Sequence, residues 1–490
     1  MKKQLLLLML VSATLSACVT NPVTGESQLS LVSEQQELAI GAQQYAPARQ
    51  SQGGDYVVDR ELTAYVSQVG QRLAAVSDRK LPYEFKVINN GVPNAWALPG
   101  GKISINRGLL TALNSEAELA AVLGHEIVHA AAGHGAQSMS KGILLQAGVA
   151  GAAIATQGTG YADLAQMGAG IGAQLISQKY GRDAERESDY YGMLYMVRAG
   201  YDAQGAVDLQ RTFVKLSEGK QQDWMSGMFA SHPPSQERVR NNEALLATLP
   251  KGGEQGVARF RAKTAGLMRS KPAYDAYDTG RGALAKGDVA TARRLAGRAI
   301  AMEPKEAQFY GLMGDVEQKN NRLKPAMKQY DKATSLNPDF FYYYLQRGLV
   351  SERLKLAAQA RSDLQRSVTL LPTADAYNSL GNLARQDGRL DEAKGYYARV
   401  AGVQGALGKQ AYGALVELDL NDNPGKYVQV KAGRDGQGRI VAQVSNPTPR
   451  SIADLVVAVQ FNNAAGQTQQ IERSFRGTVA AGSQQLFDLG

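Results

Sequence analysis

Four histidines occur in the 490 residues, and all fall in two short runs: Gly124-His125-Glu126-Ile127-Val128-His129 with His134 just beyond, and Ser231-His232-Pro233-Pro234. That concentration points to a metal site. The spacing His-Glu-x-x-His sets His125 and His129 about one turn apart on one face of a helix. Two neutral imidazoles so placed can grip one zinc ion, and Glu126 between them is the candidate general base toward water. Catalytic zinc usually takes three protein ligands and keeps one position for water, so a third ligand must be found. His134 is a poor candidate, because on a continuing helix it lies about 140° around from His129 and about 180° from His125; it is expected to cap or brace the helix. The extended pattern His-Glu-x-x-His-x-x-Gly-x-x-His fails as well, with Ala132 and Gly135 where glycine and histidine are required. A carboxylate is the remaining option. About fifty residues on, the run from Tyr180 to Asp189 introduces a second helix with Glu185 and Asp189 on one face.

The elements that must position these groups are also readable. Ser115-Glu116-Ala117-Glu118 has the form of a capping box, and Leu119 to Leu123 continue in good helix formers, so the first metal run falls on a helix. Asn94-Ala95-Trp96-Ala97-Leu98-Pro99-Gly100-Gly101 reads as a strand and turn before it. Gly142 to Gln174 is too interrupted to span a bilayer; it reads as a buried helical hairpin, with a mobile lid over the cleft as the alternative.

Taken together, residues 30 to 245 resemble the zinc metallopeptidase family that includes the CAAX prenyl protease, HtpX and BepA. The resemblance implies a mostly helical α+β zincin domain holding one zinc per chain, with Glu185 completing the ligand set of His125 and His129. Asp189 then holds a ligating imidazole in its tautomer, and Glu187 faces away. It also implies that an edge strand beside the cleft takes the substrate by β-augmentation. His232 and Arg238 match a further signature of the family, His-Pro-Pro with an arginine six residues after the histidine. Either could stabilise the oxyanion of the tetrahedral intermediate, or His232 could ligate the metal in a resting form. The chain departs from the family pattern at Gly181 and Ser188, neither a proposed ligand. The activity implied is hydrolysis of peptide bonds, with Glu126 taking a proton from water and returning it to the leaving amine.

Met1-Lys2-Lys3, the apolar run from Leu5 to Val11, and Leu15-Ser16-Ala17-Cys18 read as a lipoprotein signal peptide over residues 1–17, with Cys18 the lipidated residue. Val19 after it favours the outer over the inner membrane. Cys18 is the only cysteine, so no disulfide forms within the chain. Losing residues 1–17 removes Lys2 and Lys3 and no acid, which takes the formal charge from +9 to +7. That modest excess, without basic clusters interleaved with aromatics, sets nucleic-acid binding aside.

Four parts follow residues 1–17: a peptidase domain over 18–250, a connector over 251–272, repeats over 273–405 and a small β-sandwich over 425–490. Pro304, Pro338 and Pro372 recur every 34 residues, the tetratricopeptide period. Gly280, Gly314 and Gly348 keep the same register in the first helices, and Ala292, Ala326 and Ala360 in the second. A fourth unit with Gly381, Ala393 and Tyr397 fits after shortening by one residue, completing an all-α solenoid. Four strands are expected in the tail: Tyr427 to Val430, Arg439 to Val444, Leu455 to Phe461 and Gln469 to Phe475. The reading is thus a periplasmic zinc endopeptidase, lipid-anchored to the outer membrane. It would degrade unfolded or misassembled envelope proteins, with repeats that dock clients or an outer-membrane assembly complex. The competing reading is a chaperone-like scaffold whose proteolysis is latent.

Overall fold

The computed structural model describes residues 18–149, 180–218, 232–462 and 466–489. The expected signal peptide and most of the expected hairpin or lid therefore lie outside the described residues. Two units partition the chain, Met1–Tyr343 and Tyr344–Gly490. Among the described residues no helix is long and apolar enough to cross a membrane.

In the first unit β1 (Cys18–Thr20) and β2 (Ser27–Leu29) form an antiparallel hairpin. Its turn is closed by Asn21, whose Oδ1 accepts from the Val23 and Thr24 amides. Helix α1 (Glu34–Ser51) starts from a capping box between Ser33 and Gln36. Helix α2 (Arg60–Ala74) buries Leu62, Tyr65, Val66, Val69 and Leu73 along one stripe, the spacing of an amphipathic helix. It packs on a three-stranded sheet of β3 (Glu84–Ile88), β4 (Ala95–Leu98) and β5 (Lys102–Asn106) in the order β3-β5-β4. Strand β4 is thus the expected edge, paired antiparallel to β5. All four of its residues are nevertheless buried.

After the short α3 (Arg107–Leu110) comes α4 (Glu116–Ala131), buried along its entire length. Ser115 caps it through the Glu118 amide, as expected, but the Glu118 carboxylate turns to the Asn114 backbone and side chain instead of closing the box. Helices α5 (His134–Val149), α6 (Arg182–Arg198), α7 (Gln204–Glu218) and α8 (Gln236–Leu246) surround it.

The stretch 251–272, read as a connector, is mostly helix: α9 runs from Val257 to Ala285. Phe260, Thr264 and Leu267 are buried, and Arg259 bridges Glu116 and Glu254. Too few apolar anchors among many basic residues hid this period. The same helix supplies Tyr274, whose hydroxyl donates to Glu306 at 2.6 Å while the Asn89 amide donates to that carboxylate at 3.0 Å. The α/β body and the first repeats therefore share one packed interior.

The repeat helices are α9, α10 (Val289–Met302), α11 (Ala307–Lys319), α12 (Leu323–Leu336), α13 (Phe341–Arg353), α14 (Ala357–Leu370), α15 (Ala374–Gln386) and α16 (Leu390–Ala398). Small residues sit where the paired helices touch: a Cβ on Gly314 would meet Tyr330, and one on Gly381 would meet Tyr397. Ala292, Ala326, Ala360 and Ala393 are fully buried. Each hairpin turns on a left-handed residue, at Gly287, Asn321, Lys355 and Gly388, and the last interval is one residue shorter than the others. A 2.9 Å bond from the next amide closes each turn, as from Leu356 to the Ser351 carbonyl. Lys355 is exposed, so glycine there removes strain without removing packing. Lys355→Gly is expected to gain roughly 0.5–1 kcal/mol, the left-handed cost less the entropy of glycine. Urea unfolding of the second unit's transition checks it, and a loss of stability would refute it.

Helix α17 (Ala406–Asp419) follows, then five strands rather than four: β6 (Gln429–Arg434), β7 (Ile440–Asn446), β8 (Ile452–Asn462), β9 (Thr468–Val479) and β10 (Ser483–Asp488). They form one sheet in the order β10-β7-β6 and a second of β8-β9, with Ala442, Val444, Val457, Val459 and Phe487 in a shared core. The missed β10 presents Gln484 and Gln485 and exposes Leu486, leaving Phe487 as its one buried anchor in the core of both sheets.

Candidate metal centre

Helix α4 presents His125 and His129 on one face, with their Nε2 atoms 3.0 Å apart. Helix α6 reaches them because it crosses α4 at a pair of glycines: a Cβ on Gly192 would stand 3.1 Å from the His125 amide nitrogen, and one on Gly124 would stand 3.2 Å from the Gly192 carbonyl oxygen. That approach brings the Glu185 carboxylate to 3.6 Å from His125 Nε2 and 3.5 Å from His129 Nε2. His232, just before α8, places Nδ1 2.8 Å from Glu185 Oε1 and 3.3 Å from His125 Nε2. Ligands bonded tetrahedrally to zinc at about 2.0–2.1 Å lie roughly 3.3–3.4 Å from one another, so this donor set fits that ion. All four residues are buried, and their ligating atoms lie within 4.8 Å of one another.

Glu126 completes the centre. It is 0% exposed, and among the described residues neither carboxylate oxygen has a hydrogen-bond partner. Oε1 lies 3.7 Å from His232 Nε2. Burial pushes the Glu126 carboxyl above the usual carboxylate range, opposed by His232 and His125. A buried carboxylate without partners is costly, which marks it as kept for chemistry.

The other expected residues gather around these. Asp189 Oδ1 lies 3.0 Å from His125 Nδ1, which leaves Nε2 unprotonated toward the other donors. Burial opposes ionisation of Asp189, but Arg238 outweighs it and holds the carboxyl low. Arg238, which with His232 was one of two candidates for oxyanion donor, grips Asp189 with Nε and Nη2, both at 2.7 Å, and sets Nη1 2.9 Å from Glu185 Oε2. Its nitrogens are engaged in orienting two carboxylates.

His134, expected to cap or brace the helix, stands outside the donor cluster. Gly133 (φ +72°) ends α4, so the arithmetic of a continuing helix does not apply. His134 Nδ1 turns back to His129 Nδ1 at 2.8 Å. Glu187 does face away from the donors, but toward His134 Nε2, at 3.5 Å. Tyr180, which nothing in the pattern singled out, stacks on the His129 ring with centroids 4.1 Å apart. The side chain of Cys18 lies outside the described residues.

Paired imidazoles and a carboxylate around one point, beside a buried carboxylate with no hydrogen-bond partner among the described residues, suit a metal-dependent hydrolase. Residues 60–245 match peptidase family M48 and residues 307–340 and 374–405 match the tetratricopeptide repeat. Metalloprotease YcaL of Escherichia coli (strain K12) is 32% identical over 189 residues, which cover 37% of this chain and 72% of that protein. The chain belongs to peptidase family M48 and is a metalloendopeptidase of that family. Mitochondrial metalloendopeptidase OMA1 of Schizosaccharomyces pombe is 34% identical over 188 residues, 38% of this chain and 53% of that protein. The beta-barrel assembly-enhancing protease of Escherichia coli (strain K12) is 25% identical over 461 residues, 76% of this chain and 91% of that protein.

Proposed function

We propose that this chain is a zinc endopeptidase of the bacterial envelope that cleaves unfolded or misassembled outer-membrane proteins, presented or docked through its repeats. The observation that carries the reading is the buried set of His125, His129, Glu185 and His232 beside an unpartnered Glu126. The similarity to the beta-barrel assembly-enhancing protease, along most of its length, supports the client class and the envelope location. The lipobox-like run ending at Cys18 supports a lipid anchor. We further read the peptidase part as a zincin domain and the two tail sheets, with their common core, as a small β-sandwich.

In this reading His125, His129 and Glu185 hold the ion, which when bound supplies a Lewis acid for water and for the scissile carbonyl. Glu126 takes the proton from the attacking water and delivers it to the departing amine. Asp189 fixes the His125 tautomer, and Arg238 fixes Asp189 and Glu185. His232 stands as a fourth donor and the residues of β4 are buried, which supports reading this geometry as a closed site. The substrate would pair with β4 once the cleft opens.

Two measurements test these assignments. Incubated with a denatured β-barrel outer-membrane protein, the full chain should cleave it, stop on chelation, and recover on adding zinc. Cleavage indifferent to chelation would end the proposal. His232→Ala should raise turnover several-fold on the same client by removing the closing donor. A loss of turnover with zinc retained would instead make His232 an oxyanion donor.

A further inference from the structure

The two histidines of α4 are held by different devices. His125 leans directly on the Asp189 carboxylate. His129 leans on another imidazole, since its Nδ1 lies 2.8 Å from Nδ1 of His134. Of two facing Nδ1 atoms, one must donate and the other accept. If His129 donates, its Nε2 keeps a lone pair toward the donor cluster, and His134 must carry its own proton on Nε2. That nitrogen faces Glu187 Oε1 at 3.5 Å, which suits a proton there. The opposite assignment would protonate His129 Nε2, 3.0 Å from His125 Nε2, and aim the lone pair of His134 at a carboxylate.

Glu187 is held in turn. Asn21 Nδ2 donates to its Oε1 at 2.9 Å, and Asn21 Oδ1 is fixed by the Val23 and Thr24 amides, which settles the orientation of the amide. His134 and Asn21 are both nearly inaccessible, at 3% and 4% exposed. The hairpin carrying Asn21 is pinned over the α4–α5 junction by Gln28 Nε2 donating to the Ala132 carbonyl and by the Leu31 amide donating to Ser140 Oγ.

We propose that Asn21, Glu187 and His134 are positioning residues of the metal centre, through which the hairpin of residues 18–29 fixes the tautomer and ring angle of His129. The inference rests on the reading of His129 as a ligand. It makes the segment following Cys18 part of the metal site, although no residue of it touches a donor atom.

The test is zinc affinity of the full chain, measured by competition with a chromophoric chelator, alongside the visible spectrum of the cobalt(II) form and the thermal midpoint of the metal-free protein. His134→Ala should weaken zinc about 10–100-fold and alter the cobalt spectrum. Glu187→Gln, nearly the same shape without the charge, should weaken it less, with the metal-free midpoint unchanged. The double variant should be no weaker than His134→Ala, because the two act in series. Zinc affinity within about two-fold of the parent and an unaltered spectrum in Glu187→Gln and His134→Ala would overturn the proposal, as would losses that only track the metal-free midpoint. If His134→Ala does not fold, Glu187→Gln and Asn21→Ala decide. His129→Ala is the control: parental affinity there would refute the ligand reading itself, a failure distinct from that of the positioning chain.

Discussion

Replacing Glu126 by glutamine is expected to leave one zinc per chain and to lower cleavage about 10²–10⁴-fold, the usual worth of a general acid–base group. Glutamine keeps the shape and the burial but cannot take a proton from water. The same substitution should stabilise the metal-free protein above the pH at which this carboxyl ionises in the folded state. Burial lifts the Glu126 carboxyl above its unfolded value, so its contribution to stability is full below that unfolded value and is lost as pH rises through the folded one. Above the folded-state value the buried carboxylate is therefore a burden that glutamine removes. Single-turnover cleavage, zinc content by mass spectrometry and urea unfolding in chelator would measure the three effects. Retained cleavage would reject Glu126 as the base, and a destabilised metal-free variant would reject the claim that its charge is unrelieved.

Glu185→Ala should fail in the opposite way. Here the carboxylate is surrounded by His232, His129 and Arg238, with Arg238 Nη1 2.9 Å away. Burial alone would raise its pKa, but the charges of His232 and His125 and the hydrogen bonds of His129 and His232 hold the carboxyl far below the usual range. Truncation leaves the buried His232 imidazole without its carboxylate and frees one nitrogen of Arg238, which keeps Asp189, and breaking a buried pair costs up to about 3–5 kcal/mol. The variant is expected to lose zinc on dialysis, lose cleavage, and unfold at lower urea even without metal. Glu185→Gln should also lose cleavage, with a smaller fall in stability. Parental zinc retention in Glu185→Ala would remove Glu185 from the ligand set, whatever happens to activity.

Which groups share a face was legible because helix periodicity is local, whereas the choice of Glu185 over its rival Glu187 came from the family resemblance. His125, Glu126 and His129 sit within one turn, and Glu185 and Asp189 within another, so spacing alone placed each group on a face. What brings those faces together is Gly124 against Gly192, a close approach invisible in either run separately. The angle of His134 was counted along a helix that Gly133 ends, yet His134 stands outside the donor cluster, as its spacing suggested. Glu187 faces away as the pattern suggests, yet its partner belongs to a hairpin more than 160 residues earlier in the chain. The period of the repeats was legible, including the shortened last interval, since their small residues recur with the period itself. Helix α9 was not, because its outer turns are basic and its buried contacts are spread among distant residues.

Helix α9 also bears on how the protein's two halves can be inherited. Catalytic segment and repeat array look like exchangeable modules when written as a string, with an obvious cut near residue 272. The cut would fall inside a continuous helix, exposing Leu267 on one side and Tyr274 on the other, and would part Asn89 from Glu306. A shuffled or truncated descendant would have to carry the first repeats along with the protease, so recombination that changes partners without disturbing the enzyme is confined to the later repeats and the tail.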